Sequence, residues 1–377
     1  MKSYIHEQAD WPRLRFNESR LLPLLGQVRH CQGRLLGKMA GLGFRICSET
    51  SLSNLTADVL KSNAIEGNRL DADEVRSSIA RRLGMDVAGT PPASRDVEGV
   101  VEMMLDATQN YARALTKERL FGWHACLFPS GLSGLQRIAV ARWRPPEAGP
   151  MQVVSGPIGR ERIHYEAPAA ERLEGEMSAF LEWFSRSTDD PVLRAGIAHF
   201  WFVTIHPFED GNGRIARAIA DMALAQADGM PERFYSMSTR IEKERKDYYA
   251  VLEKCQKGSV DITAWLDWFL GCLGRTVEDA EKNIESVLSK GAFRTFLLQT
   301  DINSRQRKVL DLLVEGFSGK LTSSKYAKIA KCSADTALRD IKDLLSRELL
   351  SQEKAGGRST AYTLQSSSLQ NKNLRPN

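Results

Sequence analysis

Nothing in the chain is built to cross a bilayer. The longest apolar stretch, Ala195 to Ile205, is interrupted by His199 and falls short of the ~20 residues a spanning helix needs. The opening residues, Met1-Lys-Ser-Tyr-Ile-His-Glu-Gln-Ala-Asp, have no apolar core behind the lysine, so no secretory signal is visible. The six cysteines, Cys31, Cys47, Cys126, Cys255, Cys272 and Cys332, lie far apart and form no C-x-x-C pair. That pattern excludes a disulfide frame and a zinc site, and the expectation is reduced, mostly buried thiols in a cytoplasmic protein with no membrane partner. No internal repeat at solenoid periods is present. Strong charge of one sign is lacking too: the net charge is +5, and 301–364 carries twelve Lys/Arg against eight Asp/Glu, most of that excess. A basic bias at one end points to an acidic partner there, with duplex DNA as a candidate.

What remains is ordinary globular composition, 42% apolar and 26% charged, which excludes wholesale disorder and collagen. A chain of 377 residues is expected to form two or three domains. Residues 12–83 read as helical from spacings such as Leu21, Leu22, Leu25 and Val28, and a Gly/Pro/Ser-rich break follows at 87–94. Helical patterns resume at 97–114 and 116–127. Arg144-Pro-Pro-Glu-Ala-Gly-Pro150 cannot be helix. Two β-prone runs, around Val153–Ser155 and Ile163–Tyr165, flank Gly156-Pro-Ile-Gly159 and read as one hairpin, the only sheet expected in the first 300 residues. Helices are expected at 170–186, 191–205, 213–227, 240–255 and 262–288. Beyond 300, three short helices (304–315, 323–330, 333–347) precede two strand-like runs around Gly356-Gly357, and the polar tail 366–377 reads as disordered.

The segment richest in chemistry is His206-Pro-Phe-Glu-Asp-Gly-Asn-Gly-Arg-Ile-Ala-Arg217. Pro207 ends the preceding helix by biasing His206 away from the helical region. Gly211 and Gly213 permit a tight turn and close approach to a ligand. A helix starting near Asn212 offers free N–H groups and a positive dipole end to an anion. Arg214 and Arg217, three apart, share a face and suit a polyphosphate. Asp210 is a hard oxygen ligand suited to Mg²⁺ with phosphate, and His206 can take a proton from a hydroxyl. His199, seven residues earlier, reads as a core histidine.

This segment resembles the Fic-domain signature, His-Pro-Phe-x-Asp/Glu-Gly-Asn-Gly-Arg-x-x-Arg, at all nine specified positions. Roughly 1–290 shares the resemblance, including the opening block Tyr4-Ile-His-Glu-Gln-Ala-Asp-Trp-Pro, the block from Asp247-Tyr-Tyr and Thr263-Ala-Trp-Leu-Asp-Trp-Phe-Leu. The resemblance implies a mainly α Fic-type helical core with one β-hairpin flap, and transfer of AMP from ATP to a Ser, Thr or Tyr hydroxyl of a protein target. It implies His206 as general base, Phe208 packed inward, and Asp210 on Mg²⁺. Backbone of Gly211, Asn212 and Gly213 would form the anion hole, with Asn212 also orienting the α-phosphate. Arg214 and Arg217 would meet the β- and γ-phosphates. Val153, Val154, Ser155, Ile163, His164 and Tyr165 would form a flap aligning the target by strand addition. Tyr248 or Tyr249 would wall the adenine. A homodimer is a further implication, as is a variant donor chemistry moving phosphate or phosphocholine.

Ser62-Asn-Ala-Ile-Glu-Gly67 matches the family's inhibitory motif, Ser/Thr-x-x-x-Glu-Gly/Asn. Ser62 and Glu66 are four apart on one helix face, and a Glu66 carboxylate paired with Arg217 would keep the γ-phosphate out. In some family members this glutamate supports AMP removal. Residues 303–365 resemble a winged helix-turn-helix, with Lys325, Ser333, Thr336, Arg339 and the wing-tip Arg358 as DNA-facing candidates, and Leu338, Ile341, Leu344 and Leu345 facing inward. The expected organisation is a helical module (1–90), a Fic core (91–290), a winged helix (303–365) and a tail. The rival reading is a DNA-binding regulator whose core senses nucleotide.

Overall fold

In the computed structural model, which describes residues 4–85, 92–157, 159–315, 320–353 and 360–365, the first α-helix begins at Asn17. Its side chain accepts from the Arg20 N–H at 3.0 Å and caps α1 (Glu18–Ala40), so the helix starts later than the expected residue 12. Gly41–Gly43 separates α1 from α2 (Phe44–Ile65). The end of α2 is closed by two bonds: Gly67, at φ +86°, donates to the Ala64 carbonyl and Asn68 to the Asn63 carbonyl, each at 3.0 Å. Only glycine adopts that φ cheaply, and the turn it makes fixes Glu66 as the cap just past the helix. Then come α3 (Ala72–Arg82), α4 (Arg95–Gln109) and α5 (Lys117–Leu127). The α4–α5 contact is so close that a Cβ on Gly99 would lie 1.8 Å from the Cys126 carbonyl oxygen.

A short hairpin, β1 (Leu132–Ser133) with β2 (Gln136–Arg137), precedes the expected one, β3 (Gln152–Ser155) with β4 (Arg162–Glu166). The expectation of a single sheet missed it because two-residue strands carry no alternation to read. In the β3–β4 pair Val153 faces Tyr165 and Val154 faces Ile163, with a bulge between the two valines. Helices α6 (Leu173–Arg186), α7 (Pro191–Ile205) and α8 (Asn212–Asp228) follow. Pro191 occupies the first turn of α7, and Asp190 caps it by accepting from Val192 N–H at 2.8 Å. Thirteen of its fifteen residues are buried, which makes α7 the core rod against which α8 packs. The expected 240–255 helix is two, α9 (Met237–Lys243) and α10 (Arg245–Gln256), divided at Glu244. Helix α11 (Thr263–Gln299) runs past the expected end at 288 and through Gly291. Gly196 of α7 lets Leu266 and Phe269 of α11 approach, each 2.9 Å from where a Cβ would lie, and Trp265 Nε1 donates to the Gly196 carbonyl at 2.8 Å.

The chain separates into two compact units, Met1–Ala280 and Glu281–Asn377. The second has its own core, in which Phe293 and Leu297 join Val309, Leu310, Tyr326, Ile341 and Leu344. It contains α12 (Ser304–Glu315), α13 (Ser323–Ala330), α14 (Ala334–Ser346) and a ribbon of β5 (Leu350–Gln352) with β6 (Tyr362–Leu364). Leu338, expected inward, is 42% exposed. The buried face of α14 is Ala337, Asp340, Ile341 and Leu344, and Asp340 is tolerated there because Arg305, Asn303 and Tyr326 all donate to it. Arg358, Gly356-Gly357 and the tail 366–377 lie outside the described residues. No helix among the described residues is long and apolar enough to cross a membrane.

Candidate active site

The site is assembled where α7 ends and α8 begins. His206 takes the left-handed conformation, φ 52° and ψ 58°, and its N–H still closes the helix on the Phe202 carbonyl at 3.0 Å. Nδ1 lies 3.1 Å from the Val203 carbonyl, so that nitrogen carries the proton and Nε2 keeps its lone pair. Burial, with the Arg144 charge nearby, holds this imidazole below its ordinary range, so it is neutral at physiological pH. Phe208 is fully buried; its ring stacks on His124 at 4.1 Å between centroids and is flanked by Trp143 at 5.1 Å. His124 in turn accepts from Ala141 N–H at Nδ1 and donates from Nε2 to the Asp210 carbonyl, both at 3.2 Å. Burial pushes His124 down to about 4, which suits a neutral ring in this role. Glu209 accepts from the Ala139 N–H.

Asn212 serves the loop itself. Its buried side chain is committed to the loop: Oδ1 accepts from Phe208 N–H at 2.9 Å and Nδ2 donates to the Phe208 carbonyl at 2.8 Å. It closes the turn on Phe208 with one of its two amide hydrogens. Gly211 precedes α8 at φ +83°, with Phe128 and Leu127 about to collide with any Cβ there (3.0 and 3.1 Å). Asp210 has a partly exposed side chain; its Oδ2 accepts from Ser133 Oγ at 2.5 Å and lies 3.5 Å from Arg214 Nη2.

Two guanidinium groups stand in the first turns of α8. Arg214 rests over the Phe128 ring at 5.0 Å, and its buried Nε has no hydrogen-bond partner. Arg217 Nε donates to Ser62 Oγ at 2.9 Å, and Nη2 donates to the Ser62 carbonyl at 2.8 Å and to Glu66 Oε1 at 2.9 Å. Its Nη1 is buried without a partner. Burial opposes the Arg217 charge, but the Glu66 carboxylate outweighs it and keeps the group protonated. Glu66 Oε1 also stands against the start of α8, so close that a Cβ on Gly213 would be 2.1 Å away. A carboxylate of the chain itself thus sits where the helix end and two incompletely bonded arginines attract an anion.

Of the flap residues, Tyr165 is buried, and its hydroxyl donates to the Thr204 carbonyl at 2.9 Å, so its side chain anchors the hairpin. Val154 and Ile163 are exposed, and Val153 is partly buried. His164 lies 2.6 Å from both Ser155 Oγ and Glu253 Oε2. Tyr248 is buried with its hydroxyl 2.9 Å from Nε2 of His199, a core histidine that burial pushes down to about 3. Tyr249, 37% exposed with Arg245 over its ring at 5.6 Å, is the member of that pair open to a ligand. Ser133, His124 and Arg144 went unnoticed in the sequence; each is a lone residue with no spacing to mark it.

A neutral imidazole with one nitrogen left free thus stands beside a helix N-terminus, whose N–H groups suit an anion. The Fic/DOC family model matches residues 114–224, and this part of the chain is a Fic/DOC domain. A second model, a domain of unknown function (DUF4172), matches residues 4–85. Protein adenylyltransferase Fic of Nematostella vectensis is 26% identical over 223 residues, 58% of this chain and 47% of that protein. Protein adenylyltransferase fic-1 of Caenorhabditis elegans is 29% identical over 202 residues, 52% of this chain and 36% of that protein. The chain therefore spans less than half the length of these relatives. A crystal structure of a Fic family protein from Desulfovibrio desulfuricans G20 superposes with a TM-score of 0.52 at 21% identity, over 91% of this chain and 95% of that one. The mainly helical fold is the Fic fold.

Proposed function

We propose that this chain is a protein adenylyltransferase, moving AMP from ATP to a Ser, Thr or Tyr hydroxyl of a protein, and that Glu66 restrains it in the state described. The observation that carries the reading is the Glu66 carboxylate held by Arg217 against Gly213, an anion in the place a nucleotide phosphate would take. Relatives named protein adenylyltransferase support the reaction.

In the reaction, the hydroxyl oxygen bonds to the α-phosphorus, the α–β anhydride bond breaks and pyrophosphate leaves. The hydroxyl proton passes to Nε2 of His206, the nitrogen left free by the Nδ1–Val203 bond. The N–H groups at the start of α8 hold the α-phosphate, Arg214 the β-phosphate, and Arg217, once released by Glu66, the γ-phosphate. Val154 and Ile163 offer the exposed hairpin edge along which a target segment lies. Among the described residues no group of three or more His, Cys, Asp or Glu gathers to hold a resident metal. One partly exposed carboxylate, Asp210, beside a phosphate position fits a Mg²⁺ completed by phosphate oxygens and water. Such an ion, when bound, offsets the charge of the leaving pyrophosphate.

The second unit we read as a winged helix-turn-helix whose α14 meets DNA. What supports this is three helices before a two-stranded ribbon, with Ser333 and Arg339 exposed and Thr336 partly so.

The test of the transfer is incubation with ATP labelled on the α- or the γ-phosphate. Glu66→Gly should acquire α-label, and Glu66→Gly/His206→Ala none. Transfer of γ-label instead would replace AMP transfer with phosphoryl transfer.

A further inference from the structure

His206 is held in an unfavourable place. A non-glycine residue in the left-handed region costs ~1–2 kcal/mol, and a residue before proline is restricted further. Such a conformation persists only when its surroundings over-determine it. On the helix side, the His206 N–H and Nδ1 bond to Phe202 and Val203. The other side of the turn is gripped by one residue. Arg144 Nε donates to the His206 carbonyl at 2.9 Å, and the Arg144 backbone N–H donates to the Pro207 carbonyl at 2.9 Å. Its Nη2 reaches the Pro168 carbonyl, two residues past β4.

Arg144 is buried, and the acceptors of its side chain are backbone carbonyls. Burying a cation without a directly bonded carboxylate is costly, and packing alone gives no reason for it. We infer that Arg144 is a positioning residue for the transfer reaction, fixing the His206 turn and tying it to the exit of the β3–β4 hairpin through one guanidinium. This rests on the adenylyltransferase reading. Two consequences follow from the geometry. The planar fork of arginine spans the His206 and Pro168 carbonyls together, which the single nitrogen of lysine cannot do. The fixed positive charge also disfavours a proton on His206. The other charges felt by that ring are Glu66 at the end of α2 and Asp210 in the loop, both of which favour the proton, while Arg214 and Arg217 of α8 are met by those two carboxylates.

The experiment takes Glu66→Gly as parent and adds Arg144→Met or Arg144→Lys. In steady-state AMP transfer, Arg144→Met should lower kcat roughly 10- to 100-fold, the scale of a misplaced reacting group, with KM for ATP within about twofold. Arg144→Lys, which keeps the charge and one donor, should recover part of kcat. In parallel, the His206 imidazole is titrated by NMR in the full-length protein. Its pKa should rise in Arg144→Met and stay near the parent's in Arg144→Lys, a shift a purely structural role would not give. Unchanged kcat in the methionine variant, or a raised KM at constant kcat, would overturn the inference. If that variant does not fold, full parental kcat in Arg144→Lys would overturn it. An inactive parent would strike the adenylyltransferase reading instead, and the NMR titration would still decide the placement of Arg144.

Discussion

A histidine that works as a base must be free of its proton and have one nitrogen free of hydrogen bonds. His206 meets both conditions through its neighbours: Val203 takes the Nδ1 proton, and burial with the Arg144 charge keeps the ring below its ordinary range near 6.5. The sign of the pH effect follows. The neutral form is lost only as pH falls through the lowered pKa, so the acid limb of kcat lies below pH 6.5. Removing Glu66, a carboxylate that favours the proton, moves it no higher. A pH–rate profile of Glu66→Gly checks this, and an acid limb above 6.5 would contradict it. At this scale the sequence was informative where residues stand at fixed spacing, as from His206 to Arg217 and from Ser62 to Glu66. It was silent on Arg144, His124 and Ser133, which are brought in by distant segments, and on the bonds by which Asn212 closes the loop on Phe208.

Helix α2 shows how an element carries a function its own surface does not suggest. Its buried side mixes apolar residues (Leu52, Leu55, Val59, Ile65) with polar ones that reach other elements: Asp58 accepts from Ser236 Oγ at 2.6 Å and from Ser238 N–H at 3.2 Å, and Ser62 and Glu66 meet Arg217 one and two turns later. Helix periodicity located α2, while the turn at Gly67 that aims Glu66 needed the pair of bonds to Ala64 and Asn63. Similarly, α14 was found by its spacing, but Leu338 fell on the wrong face because the pattern cannot reveal that Asp340 is buried with Arg305. With Asp340 and Asp343 bonded to Arg305 and Arg347, the outer face of α14 is less acidic than its sequence suggests. The winged-helix reading therefore predicts retention on duplex DNA at low salt, lost steeply as salt rises and weakened by Arg339→Ala. No retention at low salt would remove the reading.

On the scale of the molecule, the residues matched by the domain of unknown function touch the Fic/DOC core at several places, among them Trp11 on Glu176 and Arg29 on Asp190, and two of the contacts bear on the site. Its start braces the hairpin: His6 Nε2 donates to the Glu166 carbonyl at 2.9 Å, and the Tyr4 ring meets Tyr165 edge-on at 5.3 Å. Its α2 ends in the carboxylate that holds Arg217. The brace was invisible in the sequence, since it pairs residues some 160 positions apart. The whole account turns on the second contact. A charge-assisted bond of this kind contributes ~1.5–3 kcal/mol, and competition from it weakens productive ATP binding by a factor of about ten or more. The decisive measurement is the initial rate of AMP transfer by the wild type and Glu66→Gly at matched, sub-saturating ATP. The account predicts a rate at least about tenfold higher for Glu66→Gly. Equal rates would contradict it.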